Sequence, residues 1–234
     1  MGKDVIIACD FASADAALRF LDRFSREARK PYVKIGMELF YSAGADIVRE
    51  IKRRGHRIFL DLKLCDIPNT VKKSMAVLRD LDVDMTNLHA FGTIEMMKAA
   101  VEGLTRPDGT RPLLIAVTQL TSTSEQRMRE ELLIDRPLPE VVMHYAKNAK
   151  VAGLDGVVCS PWESGVVHEN CGENFITVTP GVRFSSDTAG DQVRIATPAR
   201  AKQIGSDYIV VGRPITAADD PVAAYRRCIA EFVG

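Results

Sequence analysis

Charged side chains interrupt runs that otherwise have the composition of buried β-strand. The clearest case is Phe59-Leu60-Asp61-Leu62-Lys63-Leu64, with Asp66 two residues further on. Residues two apart on a strand point to the same side. Asp61 and Lys63 therefore share one face, and Leu60, Leu62 and Leu64 share the other. A second run, Tyr32-Val33-Lys34-Ile35-Gly36, carries Lys34, and a third, at the N-terminus, ends on Asp10. Lysine and aspartate are rarely buried unless paired. An alternating set Lys34–Asp61–Lys63–Asp66, with Asp10 nearby, keeps both charge types ionised, because each ammonium lies between carboxylates. A stabilising ion-pair network is the plainer reading, but buried ion pairs stabilise poorly compared with apolar packing. Several such groups at one point indicate a functional site.

A second chemistry is anion binding. Thr179-Pro180-Gly181-Val182-Arg183 and Val211-Gly212-Arg213-Pro214 each end an apolar run in a glycine followed by an arginine. Glycine lets backbone N–H groups approach phosphate oxygens, and arginine offers a planar fork of donors.

Eight β-rich runs are available to position these residues, at 5–11, 32–38, 57–64, 85–90, 113–120, 156–160, 175–182 and 208–215. Amphipathic helix patterns separate them. Ala17, Phe20, Leu21 and Phe24 follow i, i+3, i+4, i+7 spacing behind Ser13 as cap. Val71, Met75 and Leu78 repeat the theme. Val222, Tyr225, Ile229 and Phe232 do so behind Asp220 and Pro221. Gly55 and Gly205 fit helix ends. Eight strand–helix units predict a parallel sheet closed as a (β/α)8 TIM barrel, an α/β fold spanning 1–234 as a single domain. The rival is an open doubly wound sheet, which often has a glycine-rich turn after its first strand. Here that turn reads Asp10-Phe11-Ala12-Ser13. The barrel puts every residue singled out above at the carboxyl ends of strands, where barrel enzymes work, and puts the two Gly-Arg turns after strands seven and eight, where barrels bind phosphate. The long connections 121–139 and 180–192 lie at the same face and are expected to be binding loops.

The chain has 234 residues, and 31 Lys+Arg balance 31 Asp+Glu. That neutrality leaves no footprint for nucleic acid or an anionic membrane. No apolar stretch approaches the roughly 20 residues of a membrane span. The start MGKDVIIACD reads as neither signal peptide nor anchor. Cys9, Cys65, Cys159, Cys171 and Cys228 are odd in number and widely spaced, which argues for a reduced, cytoplasmic compartment and for five small buried side chains. His89 fits a hydrogen-bonded core histidine at least as well as a catalytic one. His56, His144 and His168 are expected to face solvent, and Trp162 to pack. Asp10 and Glu38 could bind a metal, but their flanking lysines disfavour a dication, so no metal is expected.

Taken together, Ala8-Cys9-Asp10-Phe11, Val33-Lys34-Ile35-Gly36, Asp61-Leu62-Lys63-Leu64-Cys65-Asp66-Ile67-Pro68-Asn69-Thr70, Val117-Thr118-Gln119-Leu120-Thr121-Ser122, Thr179-Pro180-Gly181-Val182-Arg183, Asp191-Gln192 and Val211-Gly212-Arg213 give the chain a specific likeness. Along essentially its whole length it resembles the orotidine 5′-phosphate decarboxylase family in its short single-domain form. The resemblance implies conversion of orotidine 5′-phosphate to UMP and carbon dioxide with no metal or cofactor. It implies that Lys63 protonates C6 of the pyrimidine, that Asp61 faces the substrate carboxylate, and that Lys34 holds Asp61 and the ribose. Asp66 and Thr70 would arrive from the second subunit of a homodimer. Asp10 would bind a ribose hydroxyl, Thr121 and Ser122 would line the pyrimidine site, and Arg183, Gln192, Gly212 and Arg213 would hold the phosphate. Metal-dependent enzymes acting on sugar phosphates share the Asp-x-Lys-x-x-Asp element but look to carry an acidic ligand where Lys34 stands. A catalytically silent phosphate-binding barrel would be expected to lose Lys63 or Asp61.

Overall fold

The computed structural model describes residues 3–185 and 195–234. In chain order the elements are β1 (Asp4–Ala8), α1 (Ala14–Asp22), β2 (Tyr32–Gly36), α2 (Met37–Arg53), β3 (Ile58–Leu64), α3 (Pro68–Arg79), β4 (Met85–His89), α4 (Thr93–Leu104), β5 (Leu113–Val117), α5 (Glu125–Glu131), α6 (Leu138–Val151), β6 (Gly156–Val158), α7 (Ser164–Cys171), β7 (Ile176–Thr179), α8 (Pro198–Ile204), β8 (Tyr208–Val211), α9 (Arg213–Thr216) and α10 (Pro221–Phe232). The strands run parallel in sequence order around a closed barrel. Closure is made by β1 and β8, from Asp4 opposite Tyr208 to Ile7 opposite Val211, which rules out the open sheet.

Alternation along each strand divides the apolar residues into two cores. Outward residues such as Ile7, Ile35, Leu60 and Leu88 pack with Val48, Val71, Met97 and Phe232 of the helices. Inward residues Ile6, Tyr32, Phe59, Met85, Ile115, Ile176 and Tyr208 fill the barrel itself. The caps follow the sequence reading. The Ser13 hydroxyl accepts from Ala16 N–H, and Asp220 accepts from Val222 and Ala223 N–H with Pro221 opening α10.

Several expectations need correction. All strands except β3, which ends at Leu64 as expected, stop one to four residues short of their predicted carboxyl ends, as where β8 ends at Val211. Apolar and buried residues continue past the ladder because the loops fold over the barrel: Thr118, Gln119 and Thr121 are buried. The connection 121–139 contains α5, capped by the Ser124 hydroxyl accepting from Arg127 N–H. Cys65 is exposed, at the turn leaving β3, whereas the other four cysteines are buried. His56 is buried, its Nδ1 2.9 Å from the Pro31 carbonyl, and His168 pairs with Asp207 at 3.0 Å. Trp162 is half exposed, with its indole N–H donating to the Ile195 carbonyl and the Arg200 guanidinium over its ring.

Candidate active site

Inside the barrel, one layer above Tyr32, Phe59 and Met85, the inward positions change character to Lys34, Asp61 and Asn87. Asp61 is the hub. Its Oδ1 accepts from Lys63 Nζ at 2.7 Å and from Asn87 Nδ2 at 2.7 Å, and its Oδ2 lies 3.3 Å from Lys34 Nζ. Lys34 Nζ also donates to Asp10 Oδ1 at 2.9 Å. Asp10 stands just past β1, carried there by the Cys9 N–H bond to the Lys34 carbonyl. The Lys34–Asp10 contact needs Gly36. A Cβ at that position would lie 2.8 Å from Asp10 Oδ1 and 2.9 Å from Lys34 Nζ.

Lys63 is delivered by an irregularity rather than by the plain pleat. Leu60 pairs with Thr86 and Leu64 with Leu88, so four steps on β3 face two on β4. The excess is taken up around Lys63, whose φ of 52° is left-handed. For a residue with a Cβ that conformation costs about 1–2 kcal/mol, so the surroundings must enforce it. The Lys63 backbone N–H donates to Asn87 Oδ1 at 2.8 Å.

These contacts determine the charge states. Burial opposes ionisation of Lys34, but the carboxylates of Asp61 and Asp10 outweigh it and raise the ammonium's pKa above the ordinary lysine value. Burial likewise pushes the Asp61 carboxyl up, yet Lys34 and Lys63, with the hydrogen bonds from Lys63 and Asn87, bring it below the usual carboxylate value. Both groups stay charged at neutral pH while nearly buried. His89, at the end of β4, is lowered by burial and by the Lys63 charge, which favours a neutral imidazole. Its buried Nδ1 has no hydrogen-bond partner among the described residues. Burial pushes the Cys9 thiol up to about 12, which removes it as a nucleophile.

Lys34, Asp61, Lys63 and Asn87 form one wall of a cavity of about 220 Å³. Gln119, Thr121 and Ser122 supply polar groups from the loop after β5. Val117, Val158, Val178 and Val210 form an apolar floor, and Pro180 lies at the rim. The volume falls below the ~300–1,000 Å³ usual for small-molecule sites, so a phosphorylated ligand must extend beyond it. At β7, Gly181 has a φ of 80°, a conformation that favours glycine, and the chain then runs to Arg183, whose backbone pairs with Ala196. Arg183 Nη1 donates to the Val182 carbonyl. Gly212 precedes α9, whose first residue is Arg213. Gln192 lies outside the described residues.

Asp10, Arg183, Gly212 and Arg213 do not line the cavity, and two further predicted members lie away from it as well. Asp66 is exposed, accepts its own loop's Ile67 N–H at 2.7 Å, and does not line the cavity; nor does the exposed Thr70 in α3. The strand ends at Leu64, so both lie beyond it. Within one chain the charge sequence is therefore Asp10–Lys34–Asp61–Lys63. Sequence reasoning missed Asn87. Its signal is an amide in phase with the inward face of Met85-Thr86-Asn87-Leu88-His89, where the titratable His89 is the more conspicuous residue. Among the described residues no group of three or more His, Cys, Asp or Glu could hold a metal ion.

The molecule is a TIM barrel, with a lysine–aspartate site at the strand ends where enzymes of this fold carry their chemistry. Comparison with known proteins narrows the class: the profile of the orotidine 5′-phosphate decarboxylase / HUMPS family matches residues 3–228, and the chain belongs to that family. It is 53% identical over 237 residues to orotidine 5′-phosphate decarboxylases of Bacillus cytotoxicus and Bacillus mycoides, covering 100% of this chain and 99% of each relative. A crystal structure of orotidine 5′-phosphate decarboxylase from Lactobacillus acidophilus superposes with a TM-score of 0.88 at 42% identity, covering 99% of this chain and 100% of that one. A conserved protein from Geobacillus kaustophilus, described as uncharacterized, gives 0.86 at 47%, covering 97% and 99%.

Proposed function

We propose that Lys63 is the proton donor in the reaction this chain catalyses, the decarboxylation of orotidine 5′-phosphate to UMP and carbon dioxide. That reaction is a carbon–carbon lyase step of pyrimidine biosynthesis. The observation that carries the assignment of Lys63 is its ammonium, 2.7 Å from the buried Asp61 carboxylate at the wall of the cavity. When the bond from C6 to the carboxylate breaks, the electron pair remains at C6 in an sp² orbital, outside the ring π system. A fixed ammonium stabilises that charge and then gives up its proton to form the C6–H bond. Carbon dioxide departs and solvent reprotonates the lysine. Asp61 faces the departing carboxylate, Lys34 holds Asp61 and the ribose, and Asp10 takes a ribose hydroxyl. Thr121 and Ser122 flank the pyrimidine. Arg183, Gln192, Gly212 and Arg213 bind the phosphate, whose binding energy assists the distant carbon.

The step needs no metal or cofactor, because two lysines supply the positive charge at the reacting end. Activity should survive exhaustive chelation. Loss of carbon dioxide release in EDTA, restored by magnesium, would transfer the site to metal-dependent chemistry. The exposed positions of Asp66 and Thr70 support a homodimer in which each subunit completes its partner's site. Mixing Asp66→Ala with Lys63→Ala protein should then regenerate activity, since one of the two sites in a mixed dimer is intact. No recovery after demonstrated subunit exchange would assign each site to a single chain. No helix among the described residues is long and apolar enough to cross a membrane. With free cysteines, that is compatible with the cytoplasm as the place of action.

A further inference from the structure

We propose that Asn87 is a positioning residue that sets the Lys63 ammonium and the Asp61 carboxylate for the proton transfer; this rests on the reading of Lys63 as donor. Asn87 is fully buried in the middle of β4, facing the stretch where β3 has two steps too many. Lys63 cannot use the regular ladder there, and the Asn87 amide oxygen takes its backbone N–H at 2.8 Å. The other end of the same amide donates to Asp61 Oδ1 at 2.7 Å. That oxygen also receives the Lys63 ammonium at 2.7 Å. The contacts close a ring: amide oxygen, Lys63 backbone, Lys63 side chain, Asp61 oxygen, amide nitrogen. One side chain thus grips the reacting residue by its main chain and, through Asp61, by its charged end.

The chemistry of the ring specifies an amide. The position needs one acceptor toward an N–H and one donor toward a carboxylate, which also orients the amide unambiguously. An ionised carboxyl could serve only the first contact. It would add a second negative charge beside Asp61, which disfavours ionisation of both. The charged and titratable groups around Asn87 are Asp61 and Lys63 on β3, Lys34 on β2 behind Asp61, and His89 two residues along β4. From β5 the inward neighbours are Ile115 and Val117, which do not titrate.

The test compares wild type, Asn87→Ala and Asn87→Asp by carbon dioxide release from orotidine 5′-phosphate. Misplacing a reacting group by an ångström costs on the order of 10²-fold in rate, so Asn87→Ala should lose kcat by about that factor with KM nearly unchanged. Asn87→Asp is isosteric and its protonated form restores both contacts. Its kcat relative to wild type should therefore climb as pH is lowered between about pH 8 and pH 5. A merely structural residue would show no such pH-dependent rescue. Hydrogen exchange at the Lys63 amide reads the clamp without turnover: protection should be lost in Asn87→Ala and kept in Asn87→Asp. Protection unchanged in Asn87→Ala, a kcat within twofold of an active wild type, or a loss confined to KM would each overturn the assignment. An inactive wild type with the expected exchange pattern would instead strike the decarboxylase reading and leave the clamp standing.

Discussion

Tyr32, Phe59 and Met85 occupy the same inward face as Lys34, Asp61 and Asn87, two residues earlier on the same three strands. The lower layer is apolar and closely packed, with Tyr32 and Tyr208 meeting edge to face at 6.2 Å. The upper layer contains two nearly buried charges, an amide and, beside them, a lysine in a left-handed conformation. Burial of apolar area stabilises the lower layer. In the upper layer pairing outweighs burial and keeps both charges ionised, but well-packed apolar side chains in their place would stabilise the fold more, and the left-handed backbone of Lys63 opposes folding. A barrel of this kind separates stability from chemistry by one pleat repeat.

That separation can be broken from either side. In the lower layer, Met85→Ala should cost about 2–5 kcal/mol, the usual range for emptying a buried methionine site. In a chain of this size that lowers Tm by roughly 2–4 °C per kcal/mol, and kcat of the folded enzyme should stay close to wild type. A kcat loss with Tm unchanged would show that the layers are not independent. At the proposed phosphate end the expected effect is smaller. Arg213→Ala removes a charge-assisted bond worth about 1.5–3 kcal/mol, so KM should rise by about one to two orders of magnitude. A substrate lacking the phosphate sharpens the test: wild type and variant should then differ little. Equal damage to both substrates would remove Arg213 from the phosphate site.

How much of this was legible depended on whether a residue broke a pattern. The barrel follows from eight apolar runs whose inward and outward halves alternate. Asp10, Lys34, Asp61 and Lys63 follow because charges interrupt those runs. The widened β3 carries no such mark. Nothing in Asp61-Leu62-Lys63 announces a left-handed lysine, so plain alternation put Lys63 on the right face for an incomplete reason. Asn87 is neutral and small enough to pass within a strand, and its importance appears only when β4 is laid against the irregular part of β3. His56 was misjudged because a lone histidine before a strand has no period to reveal its burial. Asp66 keeps the spacing of the array but lies past the end of β3 at Leu64, where strand alternation no longer says which way a side chain points.

The claim that the upper layer serves chemistry at the expense of stability is tested most directly by Lys63→Ala, with kcat for carbon dioxide release and Tm measured on the same preparation. The account predicts a kcat loss of at least about 10²–10⁴-fold, the range for removing a general acid, with unchanged circular dichroism and a Tm that does not fall appreciably. A variant that keeps a sizeable fraction of wild-type kcat, or loses activity only because it unfolds, would contradict it.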